Sequence, residues 1–138
     1  MSLVLTGCAG FEAAPGTYRS ELGRAGSMQT LRSTIEREIR SYGFQIQQSN
    51  PRMMYTDWRV RSSSDVGLQK SGIRRVRDRV EISYRQRGTA YHYATMRANF
   101  EVNQAGTWVS SELPPQLQDQ YEQLEARISD ELQEYMTQ

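Results

Sequence analysis

Hydrophobic residues recur at helical spacing in the first third of this chain. From Met28 to Tyr42, apolar residues fall three or four positions apart, which is the period of one helix face. Ser27 can cap the start of this helix through its hydroxyl group. Gly43 can end it, because glycine adopts the left-handed conformation without steric cost. The pattern predicts a helix over residues 28–42.

A second stripe of helical spacing runs from Leu117 to Tyr135, near the end of the chain. It follows Pro114-Pro115, and proline is tolerated in the first turn of a helix. Acidic residues lie mostly away from the apolar positions. A long amphipathic helix of this kind requires an apolar surface to lie on.

Between the two helices, apolar and polar residues alternate, which predicts strands. The turns between these strands are predicted at Asn50-Pro51, at Arg87-Gly88-Thr89 and at residues 103–106. Residues 61–71 are rich in serine and glycine and are predicted to form a loop. A fifth short strand is predicted over residues 107–110. The predicted inward positions are Phe44 and Ile46; Met54, Thr56, Trp58 and Val60; Val76, Val80, Ile82 and Tyr84; and His92, Ala94, Met96, Ala98, Phe100 and Val102.

These elements predict an α+β fold. We expect a two-layer sandwich, in which an antiparallel sheet of four or five strands carries an N-terminal and a long C-terminal helix on one face. The chain of 138 residues is long enough for one such domain, assigned to residues 27–138. Residues 1–26 are rich in glycine and read as a shortened lipoprotein signal followed by a flexible linker.

The only cysteine, Cys8, stands at the end of the run Leu5-Thr6-Gly7-Cys8, which resembles a bacterial lipobox. Apolar residues precede it and a small, polar segment follows it. The apolar stretch is shorter than a complete signal peptide, and no basic residue comes before it. We expect Cys8 to be the lipidated first residue of the mature protein, with the domain tethered to a membrane through that lipid.

The net charge of +1 conceals a separation of charge along the chain. Residues 1–111 hold 16 basic and 9 acidic side chains, whereas residues 112–138 hold 1 basic and 7 acidic ones. The predicted C-terminal helix is therefore acidic and is expected to face, or lie near, a basic body. Charge complementarity within the molecule is the expected use of this separation.

The residue types needed for catalysis are scarce. His92 is the only histidine, and its place at the start of a strand favours a structural role. One histidine and one cysteine do not make a structural zinc site, and no glycine-rich phosphate loop follows a strand. We expect no enzymatic activity, no metal and no cofactor.

A row of arginines lies on the outward side of the third predicted strand and its turn. A solvated strand face is the expected interpretation, with anionic lipid headgroups or an acidic protein partner as the alternative. Nucleic-acid binding is not expected, because the nearby aromatic residues fall mostly on the buried side. The residues of this predicted interaction surface are Arg75, Arg77, Arg79, Arg85 and Arg87.

A second candidate site is an apolar pocket between the C-terminal helix and the sheet, which would make the protein a carrier of small apolar ligands. The tryptophans themselves are expected to serve core and edge packing. The predicted pocket is lined by Met54, Trp58, Ile82, Met96 and Phe100.

Three segments carry a family resemblance: Tyr42 to Ile46, Met54 to Trp58, and Arg77 to Ile82 leading into a glycine-turned hairpin. Over residues 28–136 the chain resembles one helix-grip domain of the BamC (NlpB/DapX) lipoproteins, which are accessory subunits of the outer-membrane β-barrel assembly machinery. That family has two such domains behind a long unstructured segment, whereas the pattern here predicts one domain behind a linker over residues 9–26.

The resemblance implies a lipid-anchored, non-enzymatic interaction subunit on the periplasmic side of the outer membrane in a Gram-negative bacterium, with an envelope protein as partner. It brings no catalytic residues. Within its second segment, we expect Trp58 to pack under the helices and Asp57 to pair with an outward arginine such as Arg79.

Overall fold

A computed structural model describes residues 16–136. The elements in chain order are β1 (Thr17–Ala25), α1 (Met28–Ser41), β2 (Ile46–Asn50), β3 (Met53–Thr56), β4 (Arg59–Ser62), a short 3-10 helix (Ser63–Val66), β5 (Arg75–Arg87), β6 (Tyr91–Gln104), β7 (Thr107–Ser110) and α2 (Pro115–Met136).

The first helix forms as its sequence predicts. The Ser27 hydroxyl accepts a hydrogen bond from the Thr30 amide at 3.1 Å, which satisfies one of the free N–H groups at the helix start. Gly43 follows the last turn with a φ of +92°. The side chains of Leu31, Ile35 and Ile39 form the buried stripe.

All strands belong to one antiparallel sheet built around the two long strands β5 and β6. The order across the sheet is β1-β6-β5-β3-β2. On the outer side of β6, β1 and β7 pair with successive parts of the strand, and β3 and β4 do the same along β5. The predicted α+β sandwich is confirmed, with seven strands in place of four or five.

The prediction that residues 9–26 are a linker is wrong for the part that the structure describes. Residues 17–25 form β1, which pairs with β6 and buries Leu22 and Ala25. The register shifts between Glu21 and Gly23, where Gly23 has a φ of +119°. This bulge breaks the two-residue alternation, which is why the sequence pattern does not reveal the strand.

The long helix α2 covers the inner face of the sheet and β1. Its stripe is buried from Leu117 to Leu132, while Tyr135 is 51% exposed and lies beyond the core. Tyr18 on β1 is tied to the helix, because its hydroxyl donates to the Glu125 carboxylate at 2.7 Å. Burial together with that carboxylate raises the pKa of Tyr18. Both helices share one face of the sheet, so the opposite face is open in residues 16–136.

Candidate functional site

The predicted lipidation residue Cys8 lies outside the described residues, as does the whole lipobox-like run. Its acylation therefore stays a prediction. None of the described helices is both long and apolar enough to cross a membrane.

The predicted apolar pocket is absent from the described part of the chain. Met54, Ile82 and Met96 are fully buried, and Phe100 is 1% exposed, because all four side chains pack together in the core beneath α2. The fifth predicted lining residue, Trp58, lies on the other side of the sheet. The interface that was expected to hold a ligand is thus filled by side chains.

Trp58 lies on the face of the sheet opposite to the predicted one, because the chain contains one extra, bulged residue between β3 and β4. Met54 is opposite Ile82 in the pairing with β5, but Arg59 is opposite Asp78, so one extra residue lies between the two pairs. A shift by one residue moves every later side chain to the opposite face. Arg59 therefore points inward, and Val60, expected in the core, is 43% exposed.

On the open face, Trp58 takes part in what we call the Trp–Arg ladder, made of Trp58, Arg77 and Trp108. The Arg77 guanidinium carbon lies 4.1 Å from the centroid of the Trp58 ring and 4.4 Å from that of Trp108. Its Nε and Nη2 donate to the Glu101 carboxylate at 2.9 and 2.6 Å. The ladder joins β5, β6 and β7 to the chain just before β4, and cation–π contacts stabilise it.

Arg79 packs on the outer side of this ladder, with its guanidinium carbon 4.4 Å from the Trp58 ring centroid. The predicted ion pair between Asp57 and Arg79 is not formed. Asp57 is exposed, and within residues 16–136 its carboxylate has no ion pair.

The structure divides the predicted arginine surface into two parts. Arg77 is half-buried and neutralised by Glu101 within the Trp–Arg ladder. The other members are exposed and have no ion pair within residues 16–136, so their charges face solvent; they are Arg75, Arg79, Arg85 and Arg87. They share the outward register of one long strand.

A buried ionic group that was not predicted lies on the inner face. In this Asp78 cluster, the Asp78 carboxylate accepts two hydrogen bonds from Arg59, from Nε at 3.1 Å and from Nη2 at 2.8 Å. It also accepts one from the Tyr121 hydroxyl, and Arg61 Nη2 lies 3.6 Å away. Asp78 is 1% exposed. Two cations therefore surround one buried carboxylate.

The cluster also connects elements of the fold. The remaining Nη1 of Arg59 donates to the Tyr42 carbonyl at the end of α1, and its guanidinium carbon lies 3.9 Å from the centroid of the Phe44 ring. Burial and the nearby Asp78 charge raise the pKa of Tyr121, so its hydroxyl stays a donor. Burial beside Arg59 lowers the pKa of Arg61. The alternation of inward and outward residues along β5 places Asp78 inward, beside Val76 and Val80. This pattern was the sequence signal that could have revealed the buried carboxylate.

A second charged group lies between the helices. The Glu38 carboxylate is buried and forms an ion pair with Arg127, whose Nε lies 2.8 Å from Glu38 Oε1, while Arg37 pairs with Glu131. Burial raises the pKa of Glu38. Burial alone would raise the pKa of Glu131 as well, but hydrogen bonds with Glu38 and Arg37 lower it. In the Arg37–Glu131 pair a basic residue of α1 meets the acidic helix, whereas in the Glu38–Arg127 pair the signs are reversed.

His92 lies half-buried at the start of β6, opposite Ala25 and Gln86. Its Nδ1 is buried and has no hydrogen-bond partner in the part of the chain that the structure describes. Within that same part, no three histidine, cysteine, aspartate or glutamate side chains are grouped so that they could hold a metal ion.

The comparisons with known proteins do not identify the chain. No family model matches it, and no curated protein is significantly similar to it.

Proposed function

We propose that the chain is a lipid-anchored, non-enzymatic domain of the Gram-negative cell envelope that acts as an accessory interaction subunit in outer-membrane protein assembly. Cys8 carries the lipid, and the open face of the sheet contacts an acidic region of an envelope protein. The fold supports the proposal, because two helices on one face of an antiparallel sheet is the arrangement that the BamC-like resemblance implies.

The exposed arginines of the open face support the proposal beyond what the fold does. Arg75 and Arg79 are exposed on the open face without an acidic partner in residues 16–136, and the Trp–Arg ladder beside them fixes the backbone that presents them. Rigid, unpaired charges on one face favour a partner of the opposite sign and speed its association. The acidic residues of α2 lie on the helix side of the molecule, so the two faces differ in charge.

The anchor is tested on the protein made in a Gram-negative host from its complete gene. We expect mass spectrometry of the mature protein to find acyl chains on its first residue, Cys8, and we expect Cys8→Ala to move the protein from the membrane fraction to the soluble fraction. A mature protein that retains Met1 and carries no acyl chain would contradict the anchoring part of the proposal.

The interaction surface is tested by photo-crosslinking in cells. A crosslinking amino acid at Val60, exposed on the open face, is compared with one at Ala126, exposed on α2. We expect a discrete adduct with an envelope protein from position 60 only. The same adduct from both positions would show that the open face is not the contact.

A charge variant completes this test. Replacing Arg75 and Arg79 with glutamine should remove the adduct, because the partner loses its electrostatic attraction. The matched control replaces Arg40 and Arg52, which are exposed elsewhere, and removes the same charge. Equal loss in both double variants would assign the effect to net charge and contradict a specific surface.

A further inference from the structure

A groove lies at the far end of the sheet, where β1 and the end of the β5–β6 hairpin meet the C-terminal half of α2. We call it the hairpin-end groove. It has a volume of about 570 Å³ and is half open to solvent. Cavities of this size suit a small organic ligand. Its lining includes Arg24, Arg87, Tyr91, Tyr93 and Leu132.

The charge of this groove is unbalanced. Arg24 and Arg87 have no ion pair within residues 16–136, although both line the groove. Glu21 is the only acidic side chain in the lining. Arg85 adds a further unpaired charge, since it is opposite Tyr93 in the pairing of β5 with β6. The site therefore carries a net positive charge, and its guanidinium groups can donate hydrogen bonds to an anion.

The walls of the groove present polar and apolar surface in nearly equal amounts, and two tyrosine rings provide part of the apolar surface. The rings of Tyr91 and Tyr93 meet edge to face, with their centroids 6.1 Å apart. The Arg24 guanidinium carbon lies 4.8 Å from the Tyr91 centroid, so the ring positions this charge. Leu132 and Ala94 add aliphatic surface to the lining. A ligand with both an anionic group and an apolar part fits such a surface.

Gly23 keeps the wall of the groove clear. A Cβ atom at this position would lie 3.2 Å from Leu132 Cδ1, and both residues line the groove. The φ of +119° at the β1 bulge also disfavours any other residue there. The bulge that interrupts β1 therefore leaves room beside the two arginines.

We propose that the hairpin-end groove binds a phosphate ester with an apolar or glycerol moiety, of the kind found in an anionic phospholipid headgroup or in a free glycerophosphate. The phosphate oxygens accept hydrogen bonds from Arg24 and Arg87, whose planar guanidinium groups match that geometry. The remainder of the ligand packs on the tyrosine rings and Leu132. None of the groove residues belongs to the Trp–Arg ladder, so the proposal does not depend on the function proposed above.

The test uses the full chain with Cys8→Ala, so that a lipid anchor does not itself bind the vesicles. Cosedimentation is measured with vesicles of phosphatidylcholine alone and of phosphatidylcholine mixed with phosphatidylglycerol. A second arm follows glycerol 3-phosphate by NMR shifts of the groove residues. Binding in either arm supports the proposal if substitutions in the groove weaken it. The two arms distinguish a membrane headgroup from a soluble ester.

Two kinds of variant identify the groove. Arg24→Gln with Arg87→Gln should weaken binding about tenfold or more, because two charge-assisted hydrogen bonds are lost. The control Arg40→Gln with Arg52→Gln removes the same charge elsewhere. Equal loss of binding in both double variants would overturn the proposal, since any exposed arginine would then serve.

The second kind of variant fills the groove without changing its charge. Ser129→Phe places a ring in the groove from α2, and Gln133→Trp does so from its exposed rim. Each is used only if circular dichroism shows that it folds. We expect both to abolish binding. Full binding by a folded, filled variant, or stronger displacement by a polyglutamate peptide than by the phosphate ester, would overturn the assignment.

Discussion

Asp78 makes the stability of this domain depend on a single carboxylate. It is buried, and it pairs with Arg59 and lies near Arg61 while it accepts a hydrogen bond from the Tyr121 hydroxyl. A buried ion pair adds little when both partners are present, because desolvation opposes the attraction. Removal of one partner is different, since it leaves the other charge buried without compensation.

We therefore expect Asp78→Asn to lower the free energy of unfolding by about 3–5 kcal/mol. Urea denaturation followed by circular dichroism measures this change. The control is Glu101→Gln, which breaks the half-buried pair with Arg77 but leaves that guanidinium between two tryptophan rings. The control should lose only about 1 kcal/mol, and equal losses would contradict the account of Asp78.

Glu38 gives the protein a predictable response to pH. Burial raises its pKa above the ordinary value of 4.5 in the folded protein. Such a group holds its proton more tightly when folded, so its contribution to stability is greatest below the unfolded pKa and falls as pH rises through the folded pKa. Glutamine at this position keeps the acceptor for Arg127 but does not titrate.

The expected outcome is a pH-dependent difference between wild type and Glu38→Gln. The stability of wild type relative to the variant should be greatest near pH 4 and smaller near pH 7. Glu131 owes part of its lowered pKa to its hydrogen bond with Glu38, so the comparison is made with Glu131→Gln present in both proteins, which removes that titration. Urea unfolding at both pH values measures the difference, and a change of the opposite sign would refute the raised pKa.

At the scale of elements, two bulges decide which side chains reach which face. The bulge between β3 and β4 sends Trp58 to the open face and brings Arg59 to Asp78. The bulge in β1 places Gly23 beside Leu132. Strand alternation alone does not indicate where an extra residue enters, and both errors of the sequence analysis on the sheet arise at these two points.

The start of β1 is held by a close backbone contact at Gly16. Its carbonyl accepts the Phe100 amide at 2.7 Å, and its φ is +79°. A Cβ atom there would lie 2.6 Å from the Phe100 carbonyl oxygen and 2.7 Å from that of Ser111. Rigid backbone atoms on both sides leave no space for a side chain.

Gly16→Ala should therefore lower stability by at least about 2 kcal/mol, from the left-handed conformation and the two clashes together. Gly26→Ala is the control, because a Cβ there meets nothing within 4 Å and its φ is not positive. We expect the control to stay within about 1 kcal/mol of wild type. Thermal denaturation of both variants tests whether β1 is part of the folded domain, and equal stability of the two would argue against it.

At the scale of the whole molecule, one core joins all layers. Leu22 from β1, Ile35 from α1, Met96 from β6 and Leu124 from α2 belong to the same buried cluster. A single core of this kind unfolds cooperatively. We expect tryptophan fluorescence, which reports the open face, and far-ultraviolet circular dichroism, which reports the helices, to give the same midpoint in urea. Separate midpoints would show that sheet and helices unfold independently.

The sequence predicted those parts of the fold whose periodicity is unbroken. Both helices, β5, β6 and the stripe from Leu117 to Leu132 follow regular patterns and were predicted correctly. β1 was missed and Trp58 was misplaced, because each lies at a bulge. The hairpin-end groove joins residues 21–24, 87–94 and 129–133, and no local pattern indicates that these segments meet.

The place of β1 in the sheet has a consequence for the order in which the domain is made. Thr17 pairs with Asn99 and Ala25 with His92, so every pairing of this strand spans most of the domain. During synthesis, β1 leaves the ribosome long before β6 exists, and contacts of such long range slow folding. β1, the first strand of residues 16–136, is therefore among the last of these strands to find its partner. Until then its unpaired edge is exposed, which is when the new chain most needs protection from aggregation.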